Sequence, residues 1–340
     1  MTMTDTIPQR EPEPQPGASS PAGLGVTALL AGDIALGAVV GLLSPEMGER
    51  LSAGTDPTLL LLVALLYFEV RLRAVVAGFA NLRFMGIAWA ANFLIVPVIG
   101  FFIASLFLSG QPLLFTGLLI YFMSPCTDWF LGFTRMAKGD TALGAALIPV
   151  NMVTQLLLYP VWLWLFTRHT GVADFAAIPD VLLQWFLIPF AAAQALRFAL
   201  EKLLPDALFA RLSDWVGIAI PLVTAVLIVQ IFAANIGTIA GHLGAFAVIL
   251  IAIFLFFVAT FLMGEGLARL FRLPYPQQAL LAMTTAARNA PLMLAVTAVA
   301  IPDQPLILAA IVIGMLVEFP HLTALKQVLL RQARRKGASS

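Results

Sequence analysis

The residues with the most distinctive chemistry lie inside a long apolar segment, in the stretch Tyr121-Phe122-Met123-Ser124-Pro125-Cys126-Thr127-Asp128-Trp129-Phe130. Within four residues this stretch has a proline, the single cysteine of the chain and a carboxylate, namely Pro125, Cys126 and Asp128. In a membrane span a broken helix frees backbone groups, and a charge at mid-depth costs roughly 2.5–3.5 kcal/mol on insertion scales. We therefore expect this stretch to contact a substrate or an ion.

The composition is that of a polytopic membrane protein. Of the 340 residues, 61% are hydrophobic and only 11% are charged, whereas a soluble domain has about 25% charged residues. The net charge of +1 and the scattered basic residues give no indication of nucleic-acid binding. A single cysteine excludes an internal disulfide. The polar residues 1–23 lack a secretory signal and are predicted to be a disordered cytoplasmic tail.

Ten apolar runs are long enough to cross a bilayer. They fall at roughly Leu24–Leu43, Pro57–Val76, Phe84–Leu108, Leu113–Arg135, Thr141–Phe166, Val181–Leu200, Trp215–Asn235, Leu243–Leu270, Gln277–Ile301 and Leu306–Leu329. With both termini cytoplasmic, all basic residues except Arg50, Arg168 and Arg288 fall on the cytoplasmic face, as the positive-inside rule requires. The sequence therefore predicts ten spans in the cell membrane, within residues 24–330, and a basic cytoplasmic tail at residues 331–340.

Ten spans divide into two five-helix repeats, residues 24–166 and 181–330, and an odd number per half inverts the second relative to the first. Inverted repeats are typical of secondary transporters. Spans four and nine each run about 12 residues, or about 18 Å, before a break. The breaks are Ser124-Pro125 in span four and Asn289-Ala290-Pro291 in span nine. Both breaks are thus predicted near the bilayer midplane.

Proline favours the first helical position, so Pro125 and Pro291 are each expected to open a second half-helix. Cys126 would then lie in a first helical turn, where unpaired N–H groups favour a thiolate. Soft metalloid or metal species are the natural partners of such a sulfur. The alternative is that Cys126 is a small buried hydrophobic residue without reactivity.

Three charges lie deep in predicted spans. Asp128 and Arg288 lie nearest the breaks, and we interpret them either as a substrate- or proton-responsive pair or as a static ion pair that fixes helix register. Glu318 in span ten is either a second proton site or an acceptor for the unwound backbone.

Buried amides are further candidates to line the site. Asn151 and Gln155 of span five and Asn92 of span three either contact a ligand or bridge helices. Asp140 is expected to cap the fifth helix. Zinc-protease, Walker and other enzyme motifs are absent from the chain, so the sequence predicts neither an enzyme nor a bound cofactor or metal.

The motifs around both breaks resemble those of a known transporter family. Ser124-Pro125-Cys126-Thr127, Lys138-Gly139-Asp140, Ala146–Asn151, Ala287-Arg288-Asn289 and Leu316-Val317-Glu318 are similar to segments of the arsenite-efflux permeases, a branch of the bile acid/sodium symporter superfamily. The resemblance covers essentially all spans. It implies an all-α fold of ten helices in which the discontinuous helices 4 and 9 cross, and proton-coupled extrusion of arsenite through the sulfur of Cys126.

One position departs from that family. In the arsenite permeases a glutamate follows the Arg-Asn pair and is considered essential, whereas the aligned position here holds Pro291. This chain instead has Asp128, where the family usually has an uncharged residue. Our hypothesis is that the essential carboxylate has moved from helix nine to helix four and faces the same cavity.

The sequence as a whole favours a secondary transporter that exports a metalloid oxyacid, with a proton rather than sodium as coupling ion. Cys126, Thr127 and Asn289 would bind the uncharged acid together with Arg288 and Asn151, and Asp128 and Glu318 would couple its movement to the ion. The alternative is a sodium-coupled importer of an organic anion, in which Arg288 and the half-helix N-termini face a carboxylate or sulfonate.

Overall fold

A computed structural model of the chain describes residues 23–70, 81–127, 129–168, 171 and 187–337. Asp128, most of the N-terminal tail and residues 71–76 and 181–186 of two predicted spans lie outside the described residues. In the described part, regular structure is helical apart from one isolated backbone bridge. The helices are α1 Gly23–Leu43, α2 Pro45–Ser52, α3 Thr55–Glu69, α4 Leu82–Ala90, α5 Val96–Leu108, α6 Pro112–Phe122, α7 Phe130–Met136, α8 Thr141–Thr167, α9 Ile188–Leu203, α10 Asp206–Ala240, α11 Leu243–Leu270, α12 Tyr275–Ala286, α13 Ala290–Ala300 and α14 Pro305–Gly337.

The chain is a multi-pass membrane protein. Five described helical segments are long and apolar enough to cross a bilayer, or six if the bent pair α2 and α3 forms one span. These five are Leu82–Leu108 (α4 and α5 joined by a π turn), α8, α10, α11 and most of α14. Predicted spans four and nine are not among these segments, because each is divided into two helices that are too short to cross a bilayer alone. The count of ten spans and the inverted repeat therefore stay predictions.

Both predicted interruptions are present. The first separates α6 from α7 at residues 123–129, and the second separates α12 from α13 at residues 287–289. The half-helices that lead into them have similar lengths, 11 residues in α6 and 12 in α12. Pro291 lies in the first turn of α13, as expected, and the Asn289 side chain caps that helix by accepting a hydrogen bond from the Leu292 amide at 3.4 Å.

The expectation that Pro125 opens a half-helix is wrong. The second half-helix begins at Phe130, and Pro125 instead forms an isolated antiparallel bridge with Arg288. The Cys126 amide donates to Ala287 O at 3.0 Å, and the Asn289 amide donates to Ser124 O at 2.8 Å. Because these backbone groups pair between the two breaks, Pro125 and Cys126 are not part of a helix. The two interrupted helices therefore cross at their breaks.

Close helix packing surrounds the crossing. Helices α6 and α14 are in extensive contact, α11 packs on α12, and α1 and α3 each pack on α10. At Gly314 of α14, an added Cβ would lie 2.6 Å from Cε2 of Tyr121, so only glycine allows the Tyr121 ring to lie on the α14 backbone. This contact fixes α6 against α14 at the level of the first break.

Candidate functional site

Arg288 is the most deeply buried cation of the site, with no exposed side-chain surface. Its Nη1 donates to Phe122 O, the last residue of α6, at 2.8 Å. Its Nη2 donates to Thr285 O at 2.6 Å and to Thr284 O at 3.2 Å, in the last turn of α12. A helix end leaves carbonyls unbonded and carries partial negative charge. One guanidinium therefore caps the C-terminal ends of both half-helices that lead into the crossing.

Glu318 lies on α14 and is fully buried against both breaks. Its Oε1 accepts from the Arg288 backbone amide at 2.9 Å and from Trp129 Nε1 at 3.0 Å. Its Oε2 lies 3.4 Å from the Tyr121 hydroxyl, which also donates to Gly314 O at 3.0 Å. The carboxylate thus receives donors from the first and the second break, and a buried charge needs such donors. Glu318 therefore does accept from the unwound backbone, and its role as a second proton site stays a prediction.

Cys126 is fully buried within the first break. The prediction that it lies in the first turn of a half-helix is wrong, because α7 begins four residues later at Phe130. The residue lies in the segment that pairs with the second break, where its backbone amide donates to the carbonyl oxygen of Ala287, the residue before Arg288. The crossing, rather than a helix N-terminus, forms the surroundings of this thiol.

Thr127 and Asn289 lie on opposite breaks and are joined directly. Asn289 Nδ2 donates to Thr127 Oγ1 at 2.9 Å, and both side chains are buried. Since Thr127 is two residues from Pro125 and Asn289 is next to Arg288, this bond extends the backbone pairing of the two breaks into their side chains. Cys126, Thr127 and Asn289 therefore come together at the crossing.

The remaining predicted residues surround this centre. The Ser124 hydroxyl donates to Ile120 O at 2.8 Å, within α6. Ala290 and Pro291 are buried in the first turn of α13. Asn151 of α8 is fully buried, and its Nδ2 lies 3.4 Å from Thr284 Oγ1, one turn before Arg288. Asp128 lies outside the described residues, so its pairing with Arg288 stays a prediction.

The sequence does not predict three residues that contact Arg288 or Glu318, namely Tyr121, Trp129 and Thr284. Tyr121 and Trp129 lie within the same polar stretch as Cys126. Thr284 lies in the last turn of α12, four residues before Arg288. A useful signal for Thr284 is a hydrogen-bonding side chain close in sequence to a buried charge, whereas Tyr121 and Trp129 contact Glu318 from more than 180 positions away.

The chain has sequence relatives among membrane transport proteins. A model of the Sodium Bile acid symporter family matches residues 57–242, which is more than half of the 340 residues. The chain is also similar to the arsenical-resistance protein Acr3 of Corynebacterium glutamicum, with 28% identity over 262 residues that cover 72% of this chain and 70% of that protein. The family match includes the first break and ends before the second.

Proposed function

Because this chain belongs to the sodium bile acid symporter family, we propose that it is a secondary transporter that exports arsenite or a related metalloid from the cytoplasm in exchange for protons. Family membership supports a transporter, and it is consistent with the prediction that the chain is not an enzyme. The metalloid substrate is supported by the similarity to a protein named for arsenical resistance. Both termini would lie in the cytoplasm, with the lipid bilayer around the helices.

The observation that supports the proposal is the pairing of the two breaks, in which the buried residues Cys126, Thr127 and Asn289 take part. Arsenous acid is largely uncharged at neutral pH, so its binding needs a soft ligand and partners for its hydroxyl groups rather than a cationic clamp. Cys126 supplies the soft sulfur. Thr127 and Asn289, joined at 2.9 Å, supply a hydroxyl and an amide. A single thiolate allows release, whereas three would hold the metalloid too tightly.

Glu318 is the described carboxylate best placed for coupling. Its oxygens accept hydrogen bonds from Arg288 and Trp129 at 2.9 and 3.0 Å, so its charge stabilises both breaks at once. A proton on Glu318 would convert an acceptor into a donor and weaken these bonds. Protonation would therefore loosen the crossing, as alternating access requires. Asp128, in the first break, is the second coupling carboxylate of the proposal.

The alternative, sodium-coupled uptake of an organic anion, is not favoured. It requires the guanidinium of Arg288 to face a carboxylate or sulfonate. Arg288 instead donates to three backbone carbonyls, those of Phe122, Thr284 and Thr285, at 2.6–3.2 Å. An anion that took the place of these caps would leave buried carbonyls unbonded, at a cost of about 1–3 kcal/mol each.

The proposal is tested by arsenite transport in everted membrane vesicles. We expect an acid-inside pH gradient to drive arsenite uptake by the wild-type chain with or without sodium, and Cys126→Ser to abolish it. In an arsenite-sensitive host, the same variant should lose tolerance. Thr134→Ser is a matched control, because the Thr134 hydroxyl is also buried in the first repeat but donates only locally, to Phe130 O at 2.8 Å. Sodium-dependent uptake of an organic anion, with no arsenite transport, would overturn the proposal.

A further inference from the structure

Helix α8 presents a polar stripe to both halves of the second interrupted helix. Asn151, Gln155 and Tyr159 are spaced four residues apart and share one buried face. Asn151 Nδ2 lies 3.4 Å from Thr284 Oγ1 on α12, and the Tyr159 hydroxyl lies 3.2 Å from Thr297 Oγ1 on α13. The stripe therefore passes the break between these two half-helices.

A third amide joins the stripe from another helix. Asn92 lies in the π-helical turn Ala91–Ile95 that connects α4 and α5, and its Nδ2 donates to Thr284 Oγ1 at 3.1 Å. Isolated π turns occur frequently at functional sites. Asn92 and Asn151 thus converge on one hydroxyl, one helical turn from Arg288.

In each of these three amides the carbonyl oxygen lacks a hydrogen-bond partner among the described residues. Asn92 and Asn151 are fully buried and Gln155 is 3% exposed. The oxygens are Oδ1 of both asparagines and Oε1 of Gln155. The Gln155 amide nitrogen has a weak contact with Met152 Sδ at 3.5 Å. A buried polar atom without a partner costs about 1–3 kcal/mol, so three at one place indicate a group that binds there in the working cycle.

The neighbouring charge selects the kind of ligand. Arg288 Nη2 lies 3.2 Å from the backbone oxygen of Thr284, the residue whose hydroxyl both asparagines contact, so a fixed cation shares a contact residue with these amides. Coulomb repulsion in a buried, low-dielectric region disfavours a second cation there. Amides both accept and donate hydrogen bonds, as hydroxyl groups do. The surroundings therefore suit a neutral ligand with several hydroxyls.

We propose that Asn92 and Asn151, which both contact the Thr284 hydroxyl, form with Gln155, one turn further along α8, a hydroxyl-binding subsite for neutral oxyacids, separate from the sulfur of Cys126. The inference rests on the proposed function, because it adds amides of α8 and the π turn to Thr127 and Asn289 as partners for the hydroxyl groups of the transported acid. The thiol would recognise the soft central atom, and the amide subsite would recognise hydroxyls that Thr127 and Asn289 do not bind.

Boric acid is a probe that distinguishes binding at the amide subsite from binding at the sulfur of Cys126. It is a neutral acid with three hydroxyl groups at neutral pH, and it has no appreciable affinity for thiols. We expect boric acid to raise the unfolding temperature of the purified full chain, and of Cys126→Ser, by binding the folded state. Gln155→Met, which keeps the side-chain shape without the amide, should lose this stabilisation. Asn92→Leu is a second variant with the same expected result, should Gln155→Met fold poorly.

The matched control is Gln230→Met. Gln230 of α10 is also a buried amide, 6% exposed, whose Oε1 has no partner among the described residues. It lies beside Gly54, which precedes α3, rather than at the crossing. Gln230→Met should keep the full response to boric acid. In arsenite transport, Gln155→Met should raise KM by about tenfold, the equivalent of one hydrogen bond.

Two results would overturn the subsite: no stabilisation of the wild-type chain by boric acid, or equal stabilisation of wild type and Gln155→Met. A different result would refute the proposed function without refuting the subsite. A wild-type chain that does not transport arsenite but responds to boric acid through Gln155 would refute arsenite export and leave the hydroxyl subsite in place.

Discussion

At the scale of single residues, Arg288 and Glu318 show how opposite charges are held deep within a bundle. The arginine satisfies three carbonyls at two helix ends, and the glutamate accepts donors from both breaks. These hydrogen bonds replace most of those that each charged group would make with water. Neither side chain can move without disturbing both interrupted helices, so a change at one residue is transmitted to the whole crossing.

Asp128 carries the first residue-scale prediction. If the essential carboxylate has moved to helix four, Asp128→Asn should abolish proton-driven arsenite uptake in everted vesicles while leaving the protein folded. The reason is that the amide keeps the size of the side chain but cannot carry a proton. Asp140→Asn is the matched control, because Asp140 only caps α8 through the Leu143 amide at 3.0 Å and asparagine is an equally good cap. Wild-type export by Asp128→Asn would refute the relocation hypothesis.

At the scale of elements, the two breaks differ in construction although they cross. The second covers residues 287–289 and passes directly into α13 through an Asn cap and Pro291. The first extends over residues 123–129 before the short helix α7. The longer break supplies Cys126 and Thr127 to the site, and the shorter one supplies Arg288 and Asn289. Non-helical backbone within a membrane protein is tolerated where it is buried in protein, and here the two breaks are also hydrogen-bonded to each other.

The contact between α6 and α14 gives an element-scale prediction. Gly314→Ala should lower the free energy of unfolding by about 1–3 kcal/mol, the usual cost of overpacking. It should also reduce arsenite transport, because a Cβ would lie 2.6 Å from Cε2 of the Tyr121 ring and displace a donor to Glu318. Unfolding in mixed micelles and vesicle transport measure the two effects.

Gly86→Ala is the control for that variant. Gly86 lies in α4, and an added Cβ there has no atom within 4 Å. Helix propensity alone should make this change neutral or slightly stabilising. Equal behaviour of the two alanine variants would show that the close approach of Tyr121 to α14 contributes nothing.

At the scale of the whole molecule, the distribution of basic residues predicts more crossings than helix length supports. Charge segregation predicts ten spans, whereas five or six described helical segments satisfy the length criterion. The difference lies partly in the interrupted helices, whose halves of 11 and 12 residues are too short alone. Whether each interrupted helix crosses the membrane therefore decides the topology.

Cysteine accessibility tests that topology in the Cys126→Ser background, which has no other cysteine. We expect Ser109→Cys and Asp303→Cys to react with a membrane-impermeant maleimide in intact cells. Met136→Cys and Arg269→Cys should react only after permeabilisation. The four positions flank the interrupted helices in pairs, Ser109 with Met136 and Arg269 with Asp303. Labelling of both members of a pair from the same side would show that the helix between them does not cross.

Much of the candidate site was predictable from the chain because membrane insertion is a local constraint. A long apolar run, a proline or a charge at mid-depth has the same cost whatever the neighbours are, so Pro125, Cys126, Arg288, Pro291 and Glu318 stood out individually. The Asn289 and Asp140 caps follow from short-range rules as well. The helical conformation after Pro125 was predicted by the same local rule and was wrong, because pairing with residues more than 150 positions away replaced it.

The sequence by itself determined that this is a membrane protein, where its two interruptions fall and which polar residues lie in them, since these depend on hydrophobicity and residue type along short stretches. Only the tertiary structure decided the partners. It joined Cys126 to Ala287, Thr127 to Asn289 and Glu318 to the Arg288 amide. Hydrogen bonds form wherever folding brings a donor to an acceptor, and no local pattern specifies a partner from a distant part of the chain.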